Sequence, residues 1–519
     1  MQQKEHDVGT MSKSIGIVMV FTLVGKVAGF LREVIFASQF GTVAAADAYK
    51  NALLVPGFIL SILITAFAAA LIPMVPEQER QGATHANRYM SNLLTVGLAA
   101  CALILLLTLL LLRPVVTGIF LPFATPETQE YAIQLSAAML SMELFVFLAR
   151  MVSAYLQASF NFAVPAISLI VQNVVLIVAI LAAGGSIQLV AIGTVVSWAA
   201  QFLVQLPAAA KAGLRYRPRF DLSDAGLRGT ALLMLPAIVP AVFDSFYLII
   251  AHSIASQNTG HISALDYANR LSSMVSAILL TTVATVLYPS LVSHISRKEK
   301  LSEDISFGIN INLLIALPAS AALILLAHPV TRLVYERGNF TKESTMLTSG
   351  TLACYSAGIL GVGIRDICNR CFYAYKSKRI PFFAGTAALL LNVILNYLLY
   401  PLYGPSGIAA SMAVSSLLNG FGLLLLLHVS KKIIDWQKIS ACFWKVLAAT
   451  ATMSILLFMS SRFLNIHSQT GKTFILLMFA TIAAGVGVYV LLLWLLNVTE
   501  LRAVIHYIRS RRHKESANS

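Results

Sequence analysis

Charge is what this sequence has least of. Of its 519 residues only 11% are charged, against 58% hydrophobic, whereas soluble domains carry about 25% charged residues. No polar stretch approaches the ~50 residues that a soluble domain needs. Cysteine is scarce too: Cys101, Cys354, Cys368, Cys371 and Cys442 all lie in or beside apolar runs. Cys368 and Cys371 form a C-x-x-C, but without a second pair or a nearby His the spacing argues for helix packing over metal binding. Catalytic signatures are missing as well. There is no P-loop, no H-E-x-x-H, no G-x-S-x-G and no cluster of carboxylates outside the apolar runs, so neither an enzyme nor an ATP-driven pump is expected. An ion gradient, the membrane potential or a substrate's own gradient would have to supply energy.

Long apolar runs are what the chain has instead, and they predict an all-α, polytopic membrane protein with 14 transmembrane helices. Their approximate limits are 14–38, 45–76, 90–112, 131–156, 163–183, 187–209, 229–255, 263–293, 307–330, 345–373, 381–401, 405–428, 441–464 and 472–496, each near the roughly 20 residues that cross a bilayer. The polar start, Met1 to Lys13, leads into the first run without an A-x-A-like cleavage site, and that run is read as a retained helix.

The net charge of +15 does not point to nucleic acid, because the basic residues sit in alternate loops. They gather at Lys211, Arg215, Arg217, Arg219 and Arg228; at Arg297, Lys298 and Lys300; at Lys376, Lys378 and Arg379; at Lys431, Lys432 and Lys438; and in the tail from Arg502 to Lys514. Basic residues mark cytoplasmic loops, so both termini are expected in the cytoplasm, which requires an even number of spans. The seam between two bundles is expected in the basic linker 211–228. That division gives an N-terminal lobe at 1–210 and a C-terminal lobe at 229–430, with a helix pair and basic tail at 431–519. Two six-helix lobes around a central cavity are a common transporter plan.

Internal similarity is weak. Ala70-Leu-Ile-Pro73 resembles Val286-Leu-Tyr-Pro289, and Thr281, Thr282 and Thr285 lie upstream of the second phrase. Pro56, Pro73, Pro165, Pro236, Pro240, Pro289, Pro318 and Pro381 fall in or near apolar runs, where prolines kink helices and free carbonyls.

Polar residues inside the runs are the functional clue, since a charge in hydrocarbon costs on the order of 2.5–3.5 kcal/mol even on insertion scales. In the first run Lys26, Gly29, Arg32 and Glu33 recur at helical spacing. Glu33 neutralising Arg32 is one account; a face lining an anion-binding cavity is the other, and Lys26 is left over by the first. Asp47 and Lys50 open the second run, where Asp47 suits a helix N-terminus. Ser263, Asp266, Tyr267, Asn269 and Arg270 enter the eighth, and Arg270 there requires water or a partner. Asp244, Asn392 and Asn396 offer a carboxylate and two amide oxygens, a donor set for a hard cation such as sodium or for hydrogen bonds between helices. In the tenth run Asp366 and Arg370 are spaced to pair, while Glu143 and Arg150 of the fourth carry no assigned chemistry.

Several phrases together resemble the MurJ (MviN) family of lipid II flippases. They are Gly25-Lys-Val-Ala-Gly-Phe-Leu-Arg-Glu33, Phe40-Gly41, Ala46-Asp47-Ala48, Tyr267-Ala-Asn-Arg-Leu271, Leu287-Tyr-Pro-Ser-Leu291, Tyr335-Glu-Arg-Gly-Asn-Phe-Thr341 and Cys371-Phe-Tyr-Ala-Tyr-Lys376. The resemblance runs in order through about the first 430 residues; the last two spans resemble the family in hydropathy and position. It implies a fold of the multidrug/oligosaccharidyl-lipid/polysaccharide exporter superfamily in a bacterial inner membrane. Its cationic cavity would take an undecaprenyl-pyrophosphate-linked saccharide and open to alternate sides.

By resemblance Lys26, Arg32 and Arg270 occupy cavity-cation positions, Asp47 and Ser263 polar positions near them, and Asp244, Asn392 and Asn396 a sodium site. Membrane lipids and cell-wall synthesis proteins are the implied partners. Three departures stand out. The family's basic residue after a Pro-Asn pair is absent from Pro56-Gly57-Phe58-Ile59-Leu60-Ser61, with Lys50 the nearest replacement. Ser273 stands where an acidic residue is usual, and Lys26 lacks the guanidinium fork of the usual arginine. A related lipid-linked glycan as cargo would fit these departures. The competing readings are an ion-coupled multidrug antiporter, which would require an acidic cavity, and a membrane scaffold, which would not require buried cations.

Overall fold

Hydrocarbon leaves backbone groups no solvent partner, so a chain crossing it must pair them internally. Every regular element among the described residues is accordingly a helix. The computed structural model describes residues 2–276, 294, 298–464, 469 and 471–500; within these, the side chains of 2–19, 59, 69, 235–237, 239–241, 243, 244, 298 and 299 are outside the description. The chain divides into two compact units, Met1–Ser263 with Arg337–Thr341, and Ala264–Glu336 with Lys342–Ser519.

The first unit holds α1 (Gln2–Phe40), α2 (Ala44–Glu79), α3 (Ala83–Leu110), α4 (Leu112–Val115) and a π-helical turn at Val116–Phe120. It continues through α5 (Pro126–Met139), α6 (Met142–Ala158), α7 (Ala163–Ala182), α8 (Ile187–Leu203), α9 (Leu206–Lys211) and α10 (Ala225–Ala255) to the start of α11 at 261. Helix α2 is its hub, packing on α3, α5, α6 and α10, while α1 packs on α7 and α7 on α8. Helix α10 lies against α2 and belongs to the first compact unit.

The second unit comprises the rest of α11 (to 276), α12 (Lys298–Leu325), α13 (Ala327–Tyr335), α14 (Lys342–Ala357), α15 (Ile359–Ala374), α16 (Arg379–Tyr403), α17 (Pro405–Lys431), α18 (Trp436–Phe463) and α19 (Gly471–Leu495). Here α17 is the hub, touching α14, α15 and α16. Gly361 and Gly420 make that possible: a Cβ on Gly361 would meet the backbone of Leu417, and one on Gly420 the carbonyl of Gly361. Small residues let membrane helices approach this closely.

Among the described residues ten helices are long and apolar enough to cross a membrane, or eleven if the α5–α6 pair, bent by 46°, is one span. The expected first, seventh and eighth spans run into side chains or residues outside the description, as do Val286–Pro289, Leu287–Leu291, Thr281, Thr282, Thr285, Arg297 and the tail from 501. Pro56, Pro73 and Pro76 lie inside α2 and Pro318 inside α12. Pro165 and Pro381 are different. Each is the third residue of its helix, α7 or α16, where an N–H has no partner to lose.

The basic segment after α9 is not a loose tether. Four of its alternate N–H groups donate to polar side chains of α3: Arg215 to Asn87 Oδ1 at 2.8 Å, Arg217 to Ser91 Oγ at 3.0 Å, Arg219 to Thr95 Oγ1 at 3.3 Å and Asp221 to Asn92 Oδ1 at 2.8 Å. Two residues of extended chain advance ~6.6 Å and four helical residues ~6 Å, so a strap of alternate residues matches a stripe at 87, 91 and 95. Asn92 also donates Nδ2 to the Asp221 carbonyl at 2.7 Å, pairing both backbone groups of one residue. Asp221 then hands the chain to Asp224, whose carboxylate caps α10 through Gly226 N and Leu227 N.

Replacing Asn92 by Ala leaves both Asp221 backbone groups without these partners, a loss of ~1–3 kcal/mol. Hydrogen exchange of the amides at 215–221 should then accelerate by at least tenfold while the core of α3 stays protected.

Candidate functional site

Arg32 and Glu33 lie about two turns before the end of α1 at Phe40, and Asp47 and Lys50 lie in the first two turns of α2. The tight turn between the two helices brings Arg32, Glu33 and Lys50 into contact. Glu33 is the bridge. Its Oε1 accepts from Arg32 Nη2 at 2.8 Å and its Oε2 from Lys50 Nζ at 2.6 Å. Glu33 and Lys50 are buried, whereas the Arg32 side chain keeps 19% of its surface. The triad carries one net positive charge, and Arg32 is its accessible cation.

The surroundings hold these groups in place. Arg32 Nη1 donates to Asn173 Oδ1 of α7 at 3.1 Å, and Asn173 is itself tied to its own helix through Nδ2 and the Leu169 carbonyl at 2.8 Å. Gly29 leaves room for that amide; a Cβ there would stand 3.4 Å from Asn173 Oδ1. Lys50 Nζ sits 5.0 Å from the Phe36 ring centroid, a cation–π contact. Phe36 stacks on Tyr49 at 4.8 Å, and the Tyr49 hydroxyl meets Thr194 of α8 at 2.8 Å.

Asp47 caps a helix, but not its own. The N-cap of α2 is Val43, without a side-chain bond. The buried Asp47 carboxylate instead accepts from Gly260 N at 2.6 Å, Ser263 N at 2.8 Å and Ser263 Oγ at 2.6 Å, closing the first turn of α11. Gly260 has φ of +86°, the left-handed region that favours glycine. Asn339, from the Glu-Arg-Gly-Asn-Phe phrase, serves the C-terminal end of α1, donating N to Ser38 O at 2.8 Å and Nδ2 to Gln39 O at 2.6 Å. The motif residues of the first unit thus fix helix ends.

Other candidates lie elsewhere. Lys26 is exposed on α1, away from the Gly25–Gly29 face that packs on Leu169 and Asn173 of α7. Arg270 is exposed on α11 in the second unit. Glu143 is buried where a Cβ on Gly57 would lie 2.9 Å from its Oε1, and Arg150 is exposed. Asp366 accepts from Arg365 at 3.2 Å; the arginine reaches back to its neighbour, where sequence spacing suggested Arg370.

The Asp244 side chain is outside the described residues. Asn396 Nδ2 donates to Asn392 Oδ1 at 2.9 Å, which leaves Asn396 Oδ1 as the pair's free oxygen. Among the described residues no group of three or more His, Cys, Asp or Glu could hold a metal.

The Arg32–Glu33–Lys50 triad makes a stability prediction. Glu33→Gln removes the charge 2.6 Å from a buried ammonium, and breaking a buried pair costs about 3–5 kcal/mol. The unfolding midpoint in detergent should fall clearly, and Glu33→Gln with Lys50→Met should recover most of the loss.

Among known proteins, the family model described as lipid II flippase MurJ matches residues 36–499. The probable lipid II flippase MurJ of Buchnera aphidicola is 29% identical over 459 residues, covering 85% of this chain and 88% of its own. The lipid II flippase MurJ of Burkholderia cenocepacia is 26% identical over 431 residues, covering 79% and 82%. A solved lipid II flippase MurJ in an inward closed conformation shares the fold with a TM-score of 0.78 at 21% identity, over 92% of this chain and 97% of that one. An inward-facing multidrug resistance MATE transporter has a TM-score of 0.64 at 15% identity, over 83% and 98%. With a family model matched along most of its length, the all-helical, multi-pass chain belongs to the MurJ family.

Proposed function

We propose that this chain is a flippase for an undecaprenyl-pyrophosphate-linked saccharide, lipid II or a close relative, carried from the cytoplasmic to the outer leaflet of the bacterial inner membrane by alternating access. Both termini would be cytoplasmic, and cell-wall synthesis proteins are the natural partners on either side of the step. The observation that carries the reading is the net positive Arg32–Glu33–Lys50 triad at the α1–α2 turn. Relatives named as lipid II flippases support it.

A pyrophosphate is a strong anion, and charge-assisted hydrogen bonds to guanidinium are the strongest contacts available to it. Arg32 spends one Nη on Glu33 and the other on Asn173, so it is oriented before an anion arrives and needs no search among rotamers. Glu33 sets the selectivity. With its carboxylate between the two cations, a weak anion gains little, whereas a multiply charged one competes for Arg32. The saccharide is hydrated and the polyprenyl tail stays in lipid, so the protein has to shelter only the charged joint between them.

An antiporter for cationic drugs is the second reading, supported by the MATE-like fold. It would need an acidic site, and the triad has the opposite sign. Complementation in bacteria depleted of their own lipid II flippase separates the cases. Wild type should rescue, while Arg32→Ala and Arg270→Ala, at equal membrane levels, should not. No rescue by well-expressed wild type would point to another lipid-linked glycan, and rescue by both variants would remove the cationic site from the mechanism.

A further inference from the structure

The strap along α3 ends in a position that its own bonding specifies. From Tyr89 to Leu112, most of it in α3, the chain has no charged residue, with Arg88 and Arg113 flanking the run, which is slightly longer than the ~20 residues that the hydrocarbon core accommodates. Residues 87–92 therefore emerge into the headgroup layer, rising about 1.5 Å each. The bonds from Arg215 to Asn87 and from Arg217 to Ser91 hold the first part of the strap at that level. The bond from Arg219 to Thr95 carries its tip to the acyl boundary.

Composition follows depth. Arg215 and Arg217, at headgroup level, are exposed. Beyond them Arg219 is neutralised by Asp221, Nη2 to Oδ2 at 2.9 Å, and this guanidinium, with the Ser223 N–H, holds the Asp221 carboxyl below the usual carboxylate range. The apolar side chains on the strap are exposed, Phe220 at 63%, Leu222 at 59% and Tyr216 at 46%. Aromatic rings with flanking cations are the pattern of interfacial anchors. An acidic protein partner would have no use for bare Phe220 and Leu222 at the acyl boundary.

We infer that the strap 215–222 is a binding site for an anionic phospholipid, with Arg215 and Arg217 on the headgroup phosphate and Phe220 and Leu222 among the upper acyl carbons. The site is separate from the triad and does not depend on the flippase reading. Its backbone is fixed by side chains of α3, so the two guanidinium groups are presented without the ordering cost a flexible loop would meet. Each basic residue at an anionic surface is worth roughly fivefold in occupancy.

The test places a reporter at the acyl boundary. Full-length Phe220→Trp is reconstituted into bilayers of phosphatidylcholine containing a brominated fraction of either phosphatidylglycerol or phosphatidylcholine, and quenching is read as the difference from the parent protein with its four native tryptophans. Brominated phosphatidylglycerol should quench the added tryptophan at several-fold lower mole fraction, and Arg215→Gln with Arg217→Gln should abolish that preference without reducing quenching by phosphatidylcholine. Equal quenching by both lipids overturns the proposal. So does a preference that survives the double substitution, and so does a tryptophan that neither lipid quenches.

Discussion

A charge carried into a low-dielectric bundle must bring its counter-charge with it, and Glu33 is where this protein meets that demand. One carboxylate bridges Arg32 and Lys50, so the α1–α2 turn can place two cations side by side without their mutual repulsion. Among these three residues the bridge leaves one positive charge over. Asn173, Phe36 and the Tyr49–Thr194 pair surround the bridge and draw α1, α2, α7 and α8 together.

A second economy runs through the polar residues of the first unit. Several of them bond backbone groups at helix ends or along the strap. Asp47 caps α11, Asn339 serves the end of α1, and Asn87, Ser91, Asn92 and Thr95 convert a helix face into a rail for an extended strap. Unpaired backbone groups near a bilayer have few alternatives to such partners. Much of the polar sequence signal of the MurJ family in this chain therefore reports architecture, and the residues that remain for binding are correspondingly few.

How far the sequence could be read depended on the range of each interaction. Arg32 and Glu33 stand out from α1 alone, because charge in an apolar helix is costly wherever it sits. The pairing of Arg32 with Asn173 crosses 141 positions, and nothing in the run 163–182 marked that one amide. Asp47 was legible as a capping residue by type, yet its target lies 216 positions away in Ser263, beyond any local rule. Lys50 offered itself as a replacement cavity cation and turned out buried against Glu33. Asp366 went to its neighbour Arg365 because a long arginine side chain can fold back where helical spacing alone favours Arg370.

Hydropathy, charge and periodicity thus determined that the chain is a helical membrane protein, that its loops alternate in basicity and that α1 is cationic. These are properties of single segments, set by the cost of moving each side chain or peptide group out of water. The tertiary structure decided which charge is spent on which, that Asp47 holds the start of α11, and that the segment after α9 is a strap and not a tether. Those outcomes depend on which helices become neighbours, and a hydrogen bond of about 3 Å depends on positions that no single helix contains.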